Sequence, residues 1–450
     1  MTTSHRRPRA AALLLLPVLL AGAVTPASAA AGTPTGLAAP TVETPRTFND
    51  DEGGNVDSDD PEVWIHPDDD EDSIVIGAEK EHGMSVFTLD GHKIQHVPAA
   101  PAPGPDDAVG RLNNLDVLYD VELGGRERDI VVVSDRGLDK LHVYSIDEDK
   151  AEDGEPPLTE ITAPGMPFLF SADQAEVNEQ DTAYGMAAWK ASNGTVYVLA
   201  TREHRTDLGL FKLVSKPNGK IGYELVRRAA LPASFTLPNG SSWTPCDEPG
   251  RQPQSEGMVV DKERGLVYIS QEGVGIWRAG ADLVSFAPVL IDKVREYGVP
   301  ATYDAESDEC IAGANPGYGG ARLSADVEGL TIYNREDGKG YLIASSQGDS
   351  TYAVYDRKPA NTYIGSFKVG GSATIDSTEN TDSLFVTNLA VGDFEHGLLL
   401  VQDGNDTPDI LGGDGEVRES TNFKFVPWEN VAHSFSTPLK IDTDGFDPRD

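Results

Sequence analysis

The sequence is poor in cysteine, histidine and positive charge. Its 450 residues include two cysteines, nine histidines and 36 Lys or Arg residues against 74 Asp or Glu residues. The histidines and cysteines show no spacing typical of a zinc site, and no segment after residue 29 offers about 18 consecutive apolar residues. Because so acidic a chain repels nucleic acid and anionic membranes, we predict neither as a partner.

The first 29 residues have the three-part pattern of a secretory signal peptide: arginines, a short apolar run, and small residues ending at Ala29. We therefore predict cleavage near Ala29 and a secreted, extracellular protein. The segment contains three arginines and no acidic residue, so its removal moves the formal net charge from −38 to −41.

The rest of the chain is rich in glycine and in short apolar runs that alternate with polar residues, a pattern typical of strands joined by tight turns. One pattern of strands recurs six times, opening at residues 60, 116, 184, 256, 328 and 382. Repeats of variable length predict an all-β fold, a six-bladed β-propeller with four-stranded antiparallel blades, over residues 55–433. Residues 422–432 are expected to supply a blade's last strand.

The segments on either side of the propeller are expected to contribute little to it. Residues 30–54 form a lead-in rich in Pro, Thr and Ala whose end is a candidate for closing the ring, and residues 434–450 form an acidic tail.

In a propeller, the inner strand of each blade starts at one rim of the central channel, and the turn after the second strand returns to that rim. The first set of rim positions is Asp60, Asp116, Tyr184, Glu256, Glu328 and Asp382. The second set is Lys80, Arg136, Arg202, Glu272, Gln347 and Asp403. Basic residues thus fall on the first three blades and mostly acidic residues on the last three.

Carboxylates crowded at one rim raise one another's pKa unless a cation neutralises them. Oxygen ligands without histidine or cysteine suit the hard ion Ca²⁺. The sequence therefore predicts a funnel mouth that binds calcium and a polyanion together. The alternative, acidic residues that merely end strands at a solvated rim, explains any one position but not the repetition over six units.

Several blocks of the sequence resemble the β-propeller phytases, which are secreted, calcium-dependent bacterial phosphatases. The blocks are DDPEVW, LNNLDVLYD, SEGM, VEGLTIY, GKGYLIASSQG and NFKFVPWE, in the family's order over roughly residues 55–432. The resemblance implies hydrolysis of phytate, myo-inositol hexakisphosphate, by a calcium-activated water that attacks phosphorus in line without a phosphoenzyme. The substrate is then expected to be phytate or calcium phytate, and the cofactor several Ca²⁺ ions.

The resemblance also implies roles for individual residues. Those matching the family's phosphate-contacting positions are Lys80, Arg136, Tyr184 and Arg202. Those matching carboxylates around the catalytic calcium ions are Asp59, Glu256, Glu272, Glu328 and Asp382. Those matching more structural calcium ligands, or lying near the channel axis, are Asp60, Asp326, Gln347, Asp376, Asp403, Asn405 and Asp406.

Three positions depart from the family's pattern. Lys80-Glu81 stands where the family often has two lysines, which weakens the second phosphate position. Arg202-Glu203 replaces a Lys-Glu pair, and Asn405-Asp406 replaces a Glu-Asn pair.

Two inserts beside adjacent blades, residues 236–254 and 295–323, each carry one cysteine. In an exported protein such a pair favours a disulfide, Cys246–Cys310, with two free thiols as the alternative.

These observations lead to the hypothesis of a secreted, calcium-dependent phosphomonoesterase, a phytase of the 3-phytase type, acting as a monomer. Two other classes remain open. A calcium-dependent propeller lactonase or esterase would also place acids at a funnel mouth but would not need Lys80, Arg136 and Arg202. A non-catalytic binding module would not need Glu256 or Glu328 at all.

Overall fold

Six β-sheets surround a central channel in the computed structural model of the protein, which describes residues 35–50 and 52–449. The predicted six-bladed propeller with antiparallel blades is therefore confirmed. The predicted signal peptide lies outside the described residues. Among the residues described, no helix is both long and apolar enough to cross a lipid bilayer.

The first three blades follow the chain order from the inner strand outward. Blade one consists of Pro61–Trp64, Ile74–Ala78, Gly83–Thr88 and Lys93–Pro98. Blade two consists of Leu112–Leu123, Arg126–Asp135, Lys140–Ile146 and Leu158–Glu160. Blade three consists of Ala183–Lys190, Val196–Arg202, Asp207–Ser215 and Ile221–Ala230.

Blades four and five keep this order, while blade six is completed by the N-terminal segment. Blade four consists of Ser255–Asp261, Leu266–Gln271, Gly275–Gly280 and Val289–Lys293. Blade five consists of Val327–Arg335, Lys339–Ser346, Thr351–Asp356 and Tyr363–Val369. Blade six begins with Leu384–Thr387, Leu398–Asp403 and Ser420–Pro427. Short helical segments are Glu148–Glu152, Gln174–Val177 and Trp428–Ser434, with 3₁₀ turns at Asp70–Asp72, Pro217–Gly219, Glu336–Gly338 and Gln347–Asp349.

The N-terminal segment, whose end was a candidate for closing the ring, pairs with the outer strands of blades five and six. Val42–Glu43 and Thr47–Asp50 pair antiparallel with Ser420–Pro427, and Gly54–Asn55 extends this sheet. Gly36–Ala38 pairs parallel with Tyr363–Val369 as a fifth strand of blade five. Residues 422–432 were expected to supply a blade's last strand. They instead contribute to the third strand of blade six, because strands from the N-terminal segment pair with the outer edge of that strand.

The C-terminal residues also pack against the propeller instead of forming a free acidic tail. Phe435 and Leu439 are buried in the core between blades five and six. Phe446 lines the end of the central channel, and the guanidinium of Arg449 contacts the Asp129 carboxylate at 2.7 Å. The apolar side chains of this segment thus cover the propeller face opposite the rim where the inner strands begin.

Each insert folds into a small hairpin. The hairpins are Phe235–Thr236 with Ser242–Trp243, and Ala301–Asp304 with Glu309–Ala312. The disulfide Cys246–Cys310 joins them, as predicted. Phe235, Trp243, Trp277 and Tyr297 form an aromatic cluster that anchors the first hairpin on blade four.

Candidate functional site

A glycine follows the site residue on three neighbouring inner strands, and the packing explains why. A Cβ at Gly185 would lie 1.9 Å from the Glu256 carbonyl oxygen, and one at Gly257 would lie 2.2 Å from that of Glu328. The absence of side chains lets the inner strands approach closely, so the residue before each glycine is held at the rim beside its neighbour. The repeated Glu-Gly of the sequence thus concentrates carboxylates in one place.

Three glutamates form the centre of the acidic side of the mouth. Glu256 and Glu328 begin the inner strands of blades four and five, and Glu272 follows the second strand of blade four. Each contributes a carboxylate oxygen, and these three oxygens lie within 4.8 Å of one another. Gln254 donates a hydrogen bond to Glu272 at 3.0 Å, which fixes that side chain.

Two of these carboxylates each have one oxygen without a hydrogen-bond partner in the part of the chain that the structure describes. Glu272 Oε1 and Glu328 Oε2 are buried without a hydrogen-bond partner among the described residues. Burial raises the pKa of both groups well above the usual range, and the charges of neighbouring acids raise it further. Unsatisfied buried carboxylates cost free energy, so the cluster fits a bound cation better than an empty pocket.

Three aspartates extend the acidic surface toward blades one and six. Both carboxylate oxygens of Asp59 are buried and unpartnered in the described structure. Asp60 accepts a hydrogen bond from the Leu115 N–H at 2.9 Å, and burial raises its pKa to about 7. Asp382 contacts Lys80 Nζ at 3.3 Å and accepts a hydrogen bond from Gln347, whose own N–H bonds to the carbonyl of the exposed Asp326.

Arg136, Lys80 and Tyr184 form the cationic and aromatic side of the mouth. Arg136 makes a two-pronged ion pair with Glu203 and lies 4.7 Å from the centroid of the Tyr184 ring. Burial raises the pKa of the Tyr184 hydroxyl, and nearby glutamates add to that effect, so this group stays neutral and can donate a hydrogen bond. Lys80 Nζ also contacts Asp57 at 2.9 Å.

Arg202 is not brought into this arrangement. Its guanidinium pairs with Glu176 at 2.9 Å and donates to the Asp181 carbonyl at 2.6 Å. Its neighbour Glu203 contacts Arg136 instead. Of the predicted pair Arg202-Glu203, it is therefore the glutamate that lies at the mouth.

The second predicted calcium site contains a buried lysine. Lys424 is fully buried, and its ammonium contacts Asp376 and Asp403 and lies 4.0 Å from Asp406. Asn405 donates a hydrogen bond to Glu379 at 3.1 Å. The acidic charge of this cluster is therefore already balanced in part by side chains, in contrast to that of Asp59, Glu272 and Glu328.

Several residues of the mouth were missed by the sequence analysis. Asn113 donates to Glu256 at 2.5 Å and accepts from Arg136 at 3.3 Å. It occupies the rim position that the repeat alignment gave to Asp116, which instead lies inside the channel beside Glu62. The block LNNLDV carried the signal, because its asparagines precede the strand residue used for the alignment. Asp57 at the mouth, and Lys424 in the second predicted calcium site, were missed because neither occupies a repeated position.

The fold and the mouth define a class: a propeller that pairs unsatisfied carboxylates with cationic side chains, a combination suited to a divalent cation and an anionic ligand. The sequence pattern of the phytase family matches residues 8–236 and 248–450. The chain belongs to the phytase family.

A characterised relative agrees with this membership. The 3-phytase of Bacillus subtilis (strain 168) is 30% identical over 380 residues, which cover 83% of this chain and 80% of that enzyme. The gap in the family match, between residues 236 and 248, falls in the first cysteine-bearing insert.

Solved structures with similar architecture are more distant. The WD40 repeats of RRP9 share 12% identity at a TM-score of 0.40, covering 86% of this chain and 99% of that one. The propeller domain of Cps50 from Myceliophteria thermophila shares 10% identity at a TM-score of 0.35, covering 78% and 79%. Neither likeness bears on function.

Proposed function

We propose that this protein is a secreted, calcium-dependent phosphomonoesterase that hydrolyses phytate to phosphate and lower inositol phosphates. The observation that carries the proposal is a set of buried carboxylate oxygens, on Asp59, Glu272 and Glu328, that have no hydrogen-bond partner among the described residues. They face a mouth that also holds Lys80 and Arg136. The 3-phytase activity named for the Bacillus subtilis relative supports the same substrate.

The residues that would hold calcium are the oxygen donors around the mouth. They are Asp59, Asp60, Glu256, Glu272, Asp326, Glu328, Gln347 and Asp382, with Asp376, Asp403, Asn405 and Asp406 as a second, more structural group. Calcium supplies charge neutralisation of phosphoryl oxygens and a lowered pKa of bound water. The absence of histidine and cysteine from this donor set favours a hard cation over zinc.

The chain's own cationic groups bind and orient the substrate. Arg136 is held by Glu203 and Asn113 so that its guanidinium stays at the mouth, where it can contact phosphate oxygens. The Lys80 ammonium adds a second positive charge, and the neutral Tyr184 hydroxyl can donate to a third oxygen. Such fixed donors stabilise the negative charge that develops on the transferring phosphoryl group.

Two features support secretion. The first 29 residues have the composition of a signal peptide, and the disulfide Cys246–Cys310 is typical of an oxidising compartment. A closed propeller with this much negative charge is expected to stay monomeric.

The test is phosphate release from phytate by the mature chain with millimolar calcium, then with a chelator, for the unmodified protein and Glu328→Gln. We expect release only with calcium, and a fall of about 100-fold or more in kcat for Glu328→Gln. Glu395→Gln, which changes an exposed residue of blade six, should leave the rate unchanged. Release that persists in chelator, or is insensitive to Glu328→Gln, would contradict the proposal.

A further inference from the structure

A second group of potential metal ligands lies on blade one, around the turn that contains Lys80. Glu79 follows the strand Ile74–Ala78, His82 precedes Gly83–Thr88, and His96 lies in the outer strand Lys93–Pro98. One ligand atom from each of the three side chains lies within 4.8 Å of the others. None of these residues belongs to the acidic mouth.

The glutamate of this group is buried and only partly satisfied. Glu79 is 1% exposed, and its Oε2 accepts a hydrogen bond from the Ser85 hydroxyl at 2.5 Å. Its Oε1 has no hydrogen-bond partner among the described residues, and the nearest cationic atom, Lys93 Nζ, lies 3.6 Å away. A buried carboxylate oxygen without a hydrogen bond is costly, so this atom offers a place for a cation.

The two histidines provide nitrogen donors beside that oxygen. Their rings stack with centroids 3.9 Å apart, and His82 Nε2 lies 3.9 Å from Glu79 Oε2. One ring nitrogen of each imidazole belongs to the three ligand atoms of the group, and a neutral imidazole nitrogen is a common metal ligand. The donors of a tetrahedral zinc ion lie about 3.3 Å apart, so binding requires the three side chains to move closer together and the two stacked rings to turn toward one point.

We propose that Glu79, His82 and His96 form a binding site for a borderline dication such as Zn²⁺, separate from the oxygen-lined mouth. Two imidazoles and one carboxylate, with a fourth position open to water, suit zinc and not calcium, which prefers an all-oxygen shell. The strong negative charge of the chain favours dication binding in general, while the donor types set the preference.

The Lys93 ammonium competes with a metal ion for the Glu79 carboxylate. Its ammonium neutralises Glu79 in the absence of a cation, and its side chain is 30% exposed, so it can move into water when a metal binds. Removing this charge should therefore tighten binding.

The site shares a tight turn with a residue of the mouth. The Glu79 N–H bonds to the Gly83 carbonyl, and the Gly83 N–H bonds to the carbonyl of Lys80, which has a left-handed φ of 44°. A metal held by Glu79 and His82 would restrain this turn from behind and so hold Lys80 in place.

The experiment measures Zn²⁺ uptake by the mature chain in excess Ca²⁺, which saturates the mouth, using equilibrium dialysis and the visible spectrum of Co²⁺ as a second probe. We expect the unmodified chain to bind one more Zn²⁺ per molecule than His96→Gln does. The unmodified chain should also show a visible Co²⁺ absorption band that is absent from His96→Gln. His92→Gln, an exposed histidine of the same blade, should bind as the unmodified chain does.

Two further results decide the proposal. Lys93→Met should bind Zn²⁺ about tenfold more tightly, since a nearby positive charge has been removed. Equal uptake by the unmodified chain and His96→Gln, or the absence of uptake in excess calcium, would overturn the assignment and leave the group as a buried ion pair of Glu79 and Lys93.

Discussion

Lys80 shows how a single residue is placed at the mouth. It adopts the left-handed φ of 44°, its carbonyl accepts from the Leu112 N–H of blade two, and its ammonium lies between Asp57 and Asp382. Burial disfavours the charge of Lys80, but these acids outweigh it and raise the pKa, so the ammonium stays charged. A charged, positioned lysine between two blades is well suited to bind a phosphate.

Lys80→Met should therefore weaken substrate binding. We expect KM for phytate to rise about tenfold or more, because a charge-assisted hydrogen bond to a phosphate oxygen is lost. Initial rates over a range of phytate concentrations measure this effect. Lys358→Met, which removes an exposed lysine just after the third strand of blade five, serves as the control. An unchanged KM for Lys80→Met would exclude Lys80 from substrate contact.

At this scale the sequence predicted the residues that repeat and missed those that do not. Glu256 and Glu328 could be found because each precedes a glycine that the packing of neighbouring inner strands requires. Lys424 could not be paired with Asp376 and Asp403, because that contact joins residues 48 and 21 positions apart in one blade without any periodic signal. The direction of Arg202 depends on Glu176, which lies in an insert outside the repeat.

The two insert hairpins illustrate how elements outside the repeat are stabilised. Neither hairpin has more than four residues in a strand, and two-stranded hairpins of this size are barely stable alone. The aromatic cluster around Phe235 anchors the first hairpin, whereas the second is largely exposed. The disulfide thus supplies the constraint that the second hairpin lacks.

Removing the disulfide should lower stability without unfolding the propeller at room temperature. For the 64-residue separation of Cys246 and Cys310, the chain-entropy description gives about 4 kcal/mol. Denaturant unfolding of the Cys246→Ser/Cys310→Ser double variant in calcium measures the change. The unmodified chain treated with reductant should match this variant; equal midpoints for the variant and the oxidised protein would show that the bond adds nothing.

The N-terminal strands that close the ring should contribute to the stability of the propeller. A chain that starts at residue 51 lacks the strands that cover the edges of blades five and six. Because exposed edges and an open ring lose both hydrogen bonds and packing, we expect its Tm to fall by about 10 °C or more. A chain starting at residue 35 keeps all these strands and should melt as the mature protein does; equal melting of both truncations would contradict the closure.

The closing strands were difficult to predict for a physical reason. Val42–Glu43 is only two residues long, and its partner Phe425 lies at the far end of the chain. So short a strand carries no alternating pattern, and its structure comes from the edge it covers and not from its own propensity. Apart from the closing strands, five of the six blades consist only of strands of four or more residues, and the strand pattern repeats from blade to blade. The architecture of the blades could therefore be predicted.

At the scale of the whole molecule, the propeller gathers acids from at least five of its six blades around one axis. Glu62 and Asp116 lie within a channel cavity of about 180 Å³, while Asp59, Asp382 and the three glutamates line its mouth. Without a cation this arrangement favours protonation of its carboxylates. The protein's stability should therefore depend on pH in opposite ways with and without calcium.

The carboxyl of Asp382 gives the sign of this dependence. Burial raises its pKa to about 6, with Glu256 and Asp57 adding to the rise and Lys80 opposing it, whereas an unfolded aspartate titrates near 3.9. The folded state thus holds the proton more tightly. In chelator this contribution to the free energy of unfolding is complete below about pH 3.9 and is lost as the pH rises through about 6.

We therefore expect the chelated protein to lose about 1 kcal/mol between pH 5 and pH 7.5 through this group, and Asp382→Asn to lose correspondingly less. With calcium at pH 7.5, the unmodified protein should instead be more stable than Asp382→Asn. The variant has lost a ligand for an ion that binds only the folded state. Thermal melts of both proteins at the two pH values, in chelator and in calcium, measure these changes. Asp106→Asn, an exposed position, should follow the unmodified chain throughout. Parallel curves for Asp382→Asn and the unmodified protein in both media would show that Asp382 neither titrates in this range nor contributes to calcium binding.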